Sequence, residues 1–548
     1  LNNVNSVYQC FCDSAAQYPD KDFLHIPREA ASRYSDSSVD LSYGQAGAAI
    51  EQLKSHYQRA GFGGGHRIAL LLQNRAEFLL HWLALNALGA AVVPINDEMA
   101  AEEQAYIINH SEASLLLYLP DLADTLDNLK PLLSGQMAYQ DTGHMDQLCA
   151  PTAPASGDPP ALHSECALLY TSGSTGKPKG CILTNEYFLL SGRRYVELGG
   201  LCAMEAGSER LVTPLPLVHM NAMACSTIAM IMSGGCLIQL DRFHPRSWWQ
   251  TVRDSRASIL HYLGVMPAML LNMDPREGAE GDDFSGQVKF AFGAGVNPKH
   301  HAAFEQRFGF PLIEAWGMTE TGNNGAIIAN VEPRHVGTCC FGVAPEHLDI
   351  RLVDEVGEPV TPGEPGELLL RHRGDKPRKG FFSGYLKNPE ATDEAWAGGW
   401  FHTGDVVRQD ADGTMYFVDR RKNVIRRSGE NISALEVEAV LSEDPAVAMA
   451  VVCPVPDDIR GDEVMACIIP SASAQRDQQG AQQIAQRALQ TLVYFKIPGY
   501  IAFADQLPLT PSEKPKRAEI KALAIAMLES GQCYDVRHLK KRHSGNNP

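Results

Sequence analysis

Apolar residues recur along the chain in short blocks, and their length and spacing predict alternating strands and helices. RIALLL (67–72) is continuously apolar after its first residue and follows the glycine-rich turn at 61–65, which predicts a buried strand. The long apolar stretch that follows is too broken for a membrane span and divides into a helix at about 76–88 and a strand at 91–95. Strand, helix and strand joined by short turns form a βαβ unit, which requires a parallel sheet. Residues 40–60, preceded by Ser42 and Tyr43, predict a further helix, and CALLY (166–170), CLIQL (236–240) and VKFAF (288–292) predict further strands. From about residue 423 the pattern shortens to elements such as a helix at Ala434–Leu441 and a strand at 448–452, as in a small α+β domain. Three polar or Pro/Gly-rich zones, 150–164, 274–286 and 471–480, read as loops, and no repeat of solenoid period is present.

At 548 residues the chain exceeds what one hydrophobic core usually spans, so at least two domains are expected. A formal net charge of −18 argues against nucleic acid as a partner, because phosphate backbones are met by clustered Lys and Arg. The basic run RHLKKRH (537–543) is expected to be a solvated tail. The thirteen cysteines form no CxxC pair and no zinc-spaced Cys/His set, which fits reduced thiols. LNNVNSVYQC at the start has neither a basic n-region nor an apolar h-region, so a cytoplasmic protein without a membrane span is expected.

Candidate chemistry begins with YTSGSTGKPKG (170–180). It packs three glycines, four serine or threonine hydroxyls and two lysines into eleven residues, a composition suited to a polyphosphate. It is not a Walker loop, because Pro178 follows Gly176-Lys177 and no glycine stands five residues before Gly176. Its place after a buried strand is where open α/β sheets bind ligands.

Five further motifs follow in order: AWGMTET (315–321), GELLL (366–370), WFHTGD (400–405), VDRRKNVIRRSGENIS (418–433) and LPLTPSEKPKR (507–517). With the glycine-rich stretch they resemble the adenylate-forming superfamily of acyl-CoA synthetases, peptide-synthetase adenylation domains and luciferases. The resemblance runs from about residue 8 to about 525, and 418–433 looks most like carnitine/crotonobetaine-type CoA ligases. It implies an α/β fold, with a large N-terminal domain (1–421) of parallel-rich sheets and helices and a small mobile α+β C-terminal domain (422–548). The implied activity is an AMP-forming acyl-CoA synthetase using ATP, Mg2+ and coenzyme A, as a monomer or homodimer. The acid is first adenylated, releasing pyrophosphate, and the acyl group then passes to the CoA thiol. Stand-alone loading of a carrier protein is the alternative, and a non-catalytic nucleotide sensor is a further one.

The resemblance also implies roles. Thr171, Ser172, Gly173, Ser174, Thr175, Gly176, Lys177 and Lys179 would wrap the phosphates of ATP. Thr319 would bond the α-phosphate and Glu320 hold Mg2+; the competing expectation is an ordinary helix N-cap with a first-turn acid. Trp316, where the family has Tyr, would stack on adenine beside Gly293, Ala294 and Gly295, whose order departs from the family's Gly-Gly-Ala. Asp405 would accept from the ribose hydroxyls with Arg420 nearby, against the expectation of a surface turn aspartate. Lys422 would be the hinge, Gly429 would line the pantetheine tunnel, and Lys514 would be the catalytic lysine, preceded by Glu513 where the family has Gly. His219 would gate the acyl pocket, lined by Val218, Asn221, Gly293, Asn323 and Asn324. Three amides in such a pocket suggest an acid with a second polar group, and Arg193-Arg194 is expected to pair with a second carboxylate.

Overall fold

Arg67–Leu71 and Ala91–Pro94 pair in parallel, Ile68 opposite Val92 and Ala69 opposite Val93, with the helix Ala76–Ala87 between them in sequence. This is the βαβ unit expected from the hydrophobic pattern. It belongs to a computed structural model that describes residues 4–134, 137–171, 178–275, 281–354, 356–420, 424–427, 430–457, 461–472, 474–510 and 514–540. The helix Ala76–Ala87 is buried on nearly every side, so it reads as apolar throughout instead of carrying a single stripe. The preceding helix, Tyr43–Ala60, opens on a capping box in which Ser42 accepts from the Gln45 amide and the Gln45 side chain accepts from the Ser42 amide.

The chain divides into two units, described separately. The larger comprises Leu1–Ile350, Leu369–His402 and Ala411–Tyr416, and the smaller Arg351–Leu368, Thr403–Asp410 and Phe417–Pro548. The larger unit holds two mostly parallel sheets. In one, the order runs Gly384–Tyr385, Lys179–Thr184, Glu165–Thr171, Ala91–Pro94, Arg67–Leu71, Leu115–Tyr118, Ala138–Asp141. In the other it runs Ile327–Ile328, Leu312–Trp316, Phe290–Ala294, Ile259–Leu263, Arg210–Thr213, Cys236–Gln239, Asp22–Ile26, Val39–Ser42. The strand expected at 288–292 lies two residues later, at Phe290–Ala294, because Val288 ends a turn closed by its amide on the Phe284 carbonyl.

In the smaller unit a mixed sheet centres on the long antiparallel pair Val447–Asp457 and Gly461–Pro470. Alternation along these strands sends Val452, Val464 and Ala466 to one core with Val437 and Ile484, and Val451, Cys453 and Cys467 to another with Ile520 and Ala524. The helices Ala434–Leu441 and Gln478–Ala488 cover the first face, and Arg517–Glu529 the second. The expectation of a solvated basic tail holds at Arg537 and His538, which are exposed, and needs correction at Lys540, whose side chain is buried against Glu463, which also holds Arg427 at 2.8 Å. Residues 541–543 lie outside the described residues. All thirteen cysteines are unpaired, and no helix among the described residues is long and apolar enough to cross a membrane.

Candidate active site

The glycine-rich stretch joins two antiparallel strands, with Thr171 opposite Lys179. The stretch is thus followed by a strand antiparallel to the one before it, not by a helix as in a Walker loop. Ser172, Gly173, Ser174, Thr175, Gly176 and Lys177 lie outside the described residues. Lys179 places its ammonium 4.9 Å from the centre of the Tyr385 ring. Tyr385 lies on the neighbouring strand opposite Cys181, and its hydroxyl donates to Glu320 Oε1 at 2.8 Å. Burial, and then the Glu320 charge, push the Tyr385 phenol far up, so it remains a donor.

Thr319 and Glu320 follow the strand Leu312–Trp316 in a run of turns, not at the head of a helix, so the N-cap expectation does not hold. The Thr321 hydroxyl meets both the amide and the carbonyl of Met318, and the Gly322 amide also donates to Met318 O, closing the turn. Tyr187 donates to the Thr319 carbonyl at 2.8 Å, and the Phe382 amide donates to the Glu320 carbonyl at 2.8 Å. Glu320 is thus buried, with its backbone and one carboxylate oxygen pinned. Among the described residues no three His, Cys, Asp or Glu cluster as metal ligands. One carboxylate and a threonine fit Mg2+, which takes few protein ligands and fills its shell with phosphate and water.

Gly293 and Ala294 end the strand Phe290–Ala294, and Gly295 follows it. A Cβ at Gly293 would lie 2.3 Å from the Tyr262 carbonyl, so only glycine fits this close approach. Gly295 adopts φ +76°. Buried Glu314 fixes the turn by accepting from the amides of Gly295 (3.0 Å) and Val296 (2.8 Å), while burial pushes its pKa up. Trp316, 6% exposed, ends the adjacent strand with its ring tilted against Phe341.

Val218 and His219 lead into a π-helical turn at Asn221–Thr227. The wide turn is supported by its own hydroxyls: Ser226 donates to Asn221 O at 3.1 Å and Thr227 to Ala222 O at 2.8 Å. Asn221 Oδ1 stands 2.7 Å from His261 Nδ1. An amide oxygen only accepts, so Nδ1 carries the proton and Nε2 accepts from the Tyr195 hydroxyl at 2.8 Å. Burial presses the His261 pKa down to about 3, keeping the ring neutral. The other two asparagines also spend groups on the chain. Asn323 donates through Nδ2 to Ser191 O while its amide donates to Ser191 Oγ, both at 3.1 Å. Asn324 Nδ2 donates to Lys379 O at 3.2 Å, and its carbonyl accepts from His347 Nε2 at 2.7 Å.

The smaller unit gathers a second set. Asp405 lies within the strand Phe401–Gln409 and is 5% exposed, so it is not the surface turn aspartate of the competing expectation. Its amide donates to Thr403 Oγ1 at 3.0 Å, and Arg420 Nε stands 3.3 Å from its Oδ1. Lys514 exchanges hydrogen bonds with Thr510, amide to hydroxyl at 3.0 Å and carbonyl to amide at 2.8 Å. Desolvation around its ammonium, and then the charge of Arg420, lower its pKa. Lys422, Gly429 and Glu513 lie outside the described residues.

Sequence reasoning did not single out Tyr385, Tyr187, Ser191 or His261. Gly384-Tyr385 ahead of Asn388-Pro389 was the visible signal for the first. The others act across more than thirty residues of separation, on partners that no local pattern names.

The chain matches the model of AMP-binding enzymes over residues 11–386 and that of the AMP-binding enzyme C-terminal domain over 436–514. It is 31% identical to a sulfoacetate–CoA ligase of Cupriavidus necator over 92% of this chain and 95% of that enzyme. It is 29% identical to a crotonobetaine/carnitine–CoA ligase of Salmonella typhi over 88% and 93%. Its fold matches that of an O-succinylbenzoate coenzyme A synthetase from Bacillus subtilis, solved with ATP and a magnesium ion, at a TM-score of 0.77 and 22% identity over 93% and 99% of the chains. A family model that spans more than half of the sequence, and a relative above 30% identity along nearly all of it, place the chain in the AMP-binding, adenylate-forming enzyme family, as an AMP-forming acid–thiol ligase.

Proposed function

We propose that this enzyme activates a carboxylic acid bearing a second polar group as its acyl-adenylate and passes the acyl group to coenzyme A. The observation that carries the reading is the pinned carboxylate of Glu320, beside Thr319 in the turns after Leu312–Trp316, bonded by Tyr385, whose ring meets Lys179 at the end of the glycine-rich stretch. The named relatives support the polar acid. Sulfoacetate and crotonobetaine or carnitine all carry a second charged group beside the carboxylate.

The chemistry starts with a repulsion. A carboxylate and an α-phosphate are both negative, and their approach needs compensating charge in a poorly solvated place. In this reading Thr171 to Lys179 hold the outer phosphates, Thr319 bonds the α-phosphate, and Trp316 with Gly293–Gly295 accepts the adenine. Mg2+, held by Glu320 with phosphate oxygens, would neutralise phosphate charge. Asp405 accepts the ribose hydroxyls beside Arg420, and Lys514 compensates the attacking carboxylate and the α-phosphate. A compact ammonium on a flexible arm suits that task. The carboxylate oxygen bonds to α-phosphorus as the bond to pyrophosphate breaks. The CoA sulfur then bonds to the acyl carbon, its proton leaves to solvent, and the bond to AMP breaks. Lys422 as hinge and Gly429 beside the pantetheine arm belong to this second half. His219 and Val218 guard the acid, with Asn221, Asn323 and Asn324 behind them.

The test combines the enzyme with ATP, Mg2+ and a panel of short, aromatic, hydroxy, betaine, dicarboxylic and fatty acids, with and without CoA, following pyrophosphate and thioester. Thioester with a polar acid is the expected result. Pyrophosphate without thioester would turn the acceptor into a carrier protein. Tight ATP binding without pyrophosphate for any acid would favour a nucleotide sensor. Faster turnover of a long-chain fatty acid than of every polar acid would refute the second polar group.

A further inference from the structure

Two adjacent arginines, Arg193 and Arg194, sit near the end of the helix Asn185–Val196. Successive helical positions diverge by about 100°, so they serve different surroundings. The charge of Arg193 acts on Cys10, in the helix Val7–Gln17, while that of Arg194 acts on His347. The helix is fixed in rotation. Gly192 lies so close to its neighbour that a Cβ there would come 2.3 Å from Ile228 Cγ2, and Ser191 grips Asn323 through both its hydroxyl and its carbonyl. Arg194 stands three residues beyond Ser191, one turn along the same face.

Among the described residues no acceptor bonds Arg194. Its Nε is fully buried without a partner, and no carboxylate forms an ion pair with it. Glu197 is the one acid whose field reaches it, and that residue is exposed. The side chains that weigh most on the neighbouring His347 besides Arg194 are basic residues, His372 with its ring 5.8 Å away and Lys379, while nearby Asp349 is paired with Arg371 and Arg373. His347 and Lys379 also meet Asn324, whose carbonyl accepts from the imidazole and whose amide donates to the lysine carbonyl. In a chain with 65 acidic and 47 basic residues, a half-buried guanidinium without a carboxylate is an unfilled site. Leaving it unpaired costs desolvation that an anion would return, and its fork of donors matches the paired oxygens of a carboxylate or sulfonate.

We infer that Arg194 recognises a second acid group on the substrate, beside the imidazole of His347 and with Lys379 around Asn324, so that the enzyme acts on a carboxylic acid carrying a further carboxylate or sulfonate. The inference rests on the proposed acid-activating function and narrows its substrate class. The asparagines orient and shape this wall, and Arg194 supplies the charge that selects.

The test is acid-dependent ATP–pyrophosphate exchange, without CoA, on matched pairs such as propionate with succinate and acetate with sulfoacetate. The parent enzyme is expected to favour the doubly acidic member. Arg194→Met is expected to lower that preference, the ratio of the two kcat/KM values, on the order of 100-fold, and Arg194→Lys to restore part of it. ATP binding kept at the parent level shows that the variants fold. An unchanged ratio in Arg194→Met overturns the inference. So does a rise confined to the KM for CoA in thioester formation, which would make the anion a CoA phosphate. If no acid supports exchange, the activity reading fails by itself, and the arginine is then tested by thermal shift with the same acids. Stabilisation of the parent by the doubly acidic members only, lost in Arg194→Met, supports the assignment, and no stabilisation overturns it.

Discussion

His261 and His81 make the larger unit sensitive to acid in a way that can be counted in protons. His261 is wholly buried between Asn221 and Tyr195, and His81 is 2% exposed beside the Tyr57 hydroxyl. Burial lowers each pKa from 6.5 to about 3. Above pH 6.5 both rings are neutral whether the chain is folded or not, and they add no pH dependence. Below it the unfolded chain gains protons that the folded one refuses, so stability falls with pH until the folded value near 3 is reached. Each ring contributes a slope of about 1.4 kcal/mol per pH unit. At pH 5 that amounts to about 2 kcal/mol each and about 4 kcal/mol together, a large part of the roughly 5–15 kcal/mol typical of a folded domain. Calorimetric unfolding at pH 5 in buffers of different ionisation heat measures the proton uptake directly. His261→Asn keeps a donor for Asn221 but cannot titrate, so its unfolding is expected to take up about one proton fewer than the parent's. His81→Asn is expected to do the same. Equal uptake in variant and parent would refute the neutral buried imidazole, and with it the tautomer that orients Asn221.

Asp405→Asn removes the carboxylate expected to take both ribose hydroxyls, where charged hydrogen bonds contribute about 1.5–3 kcal/mol each, so the KM for ATP should rise on the order of 100-fold in initial-rate measurements. Lys514→Ala should slow pyrophosphate release by about 100- to 1,000-fold, while thioester formation from a supplied acyl-adenylate changes little. Tyr385→Phe keeps the ring under Lys179 but frees Glu320 of its phenol, so Mn2+ binding to the ATP complex, followed by electron paramagnetic resonance, should weaken by about 10- to 100-fold.

Where a local pattern carries the structure, the chain was readable. Continuous apolar runs bounded by glycines foretold the parallel pair at Arg67–Leu71 and Ala91–Pro94 and the buried Glu165–Thr171, and the helix Ala434–Leu441 has the expected bounds. Pro178 after Gly176-Lys177 set the glycine-rich stretch apart from a Walker loop, and the strands on its two sides are antiparallel neighbours. Long-range bonding was out of reach. The amides of Asn323 and Asn324 looked like groups awaiting a ligand. Each instead donates to a chain carbonyl, on Ser191 and Lys379, 132 and 55 residues away. Among the described residues Arg194 then stands out beside these asparagines as a guanidinium without an acceptor. Thr319 resembled a helix cap because Ser/Thr before an acid is a local signal, yet the Thr321 hydroxyl and the Gly322 amide on Met318 close a turn in its place. The basic tail looked solvated because charge runs usually are, whereas Glu463, far back in sequence, draws Lys540 into the protein.

The π-turn at Asn221–Thr227 holds more residues per turn than the α-helix Ile228–Ser233 that continues it. Deleting one residue there would tighten it to an α-helical turn and shift the side chains at its start by one helical position, about 100°. Asn221 would lose His261, and a different side chain would take its place. If Asn221 lines the acyl pocket as proposed, substrate choice is then open to changes in chain length as well as to substitutions. A single lost or gained codon could re-aim the wall while every buried strand beneath it stayed as it is.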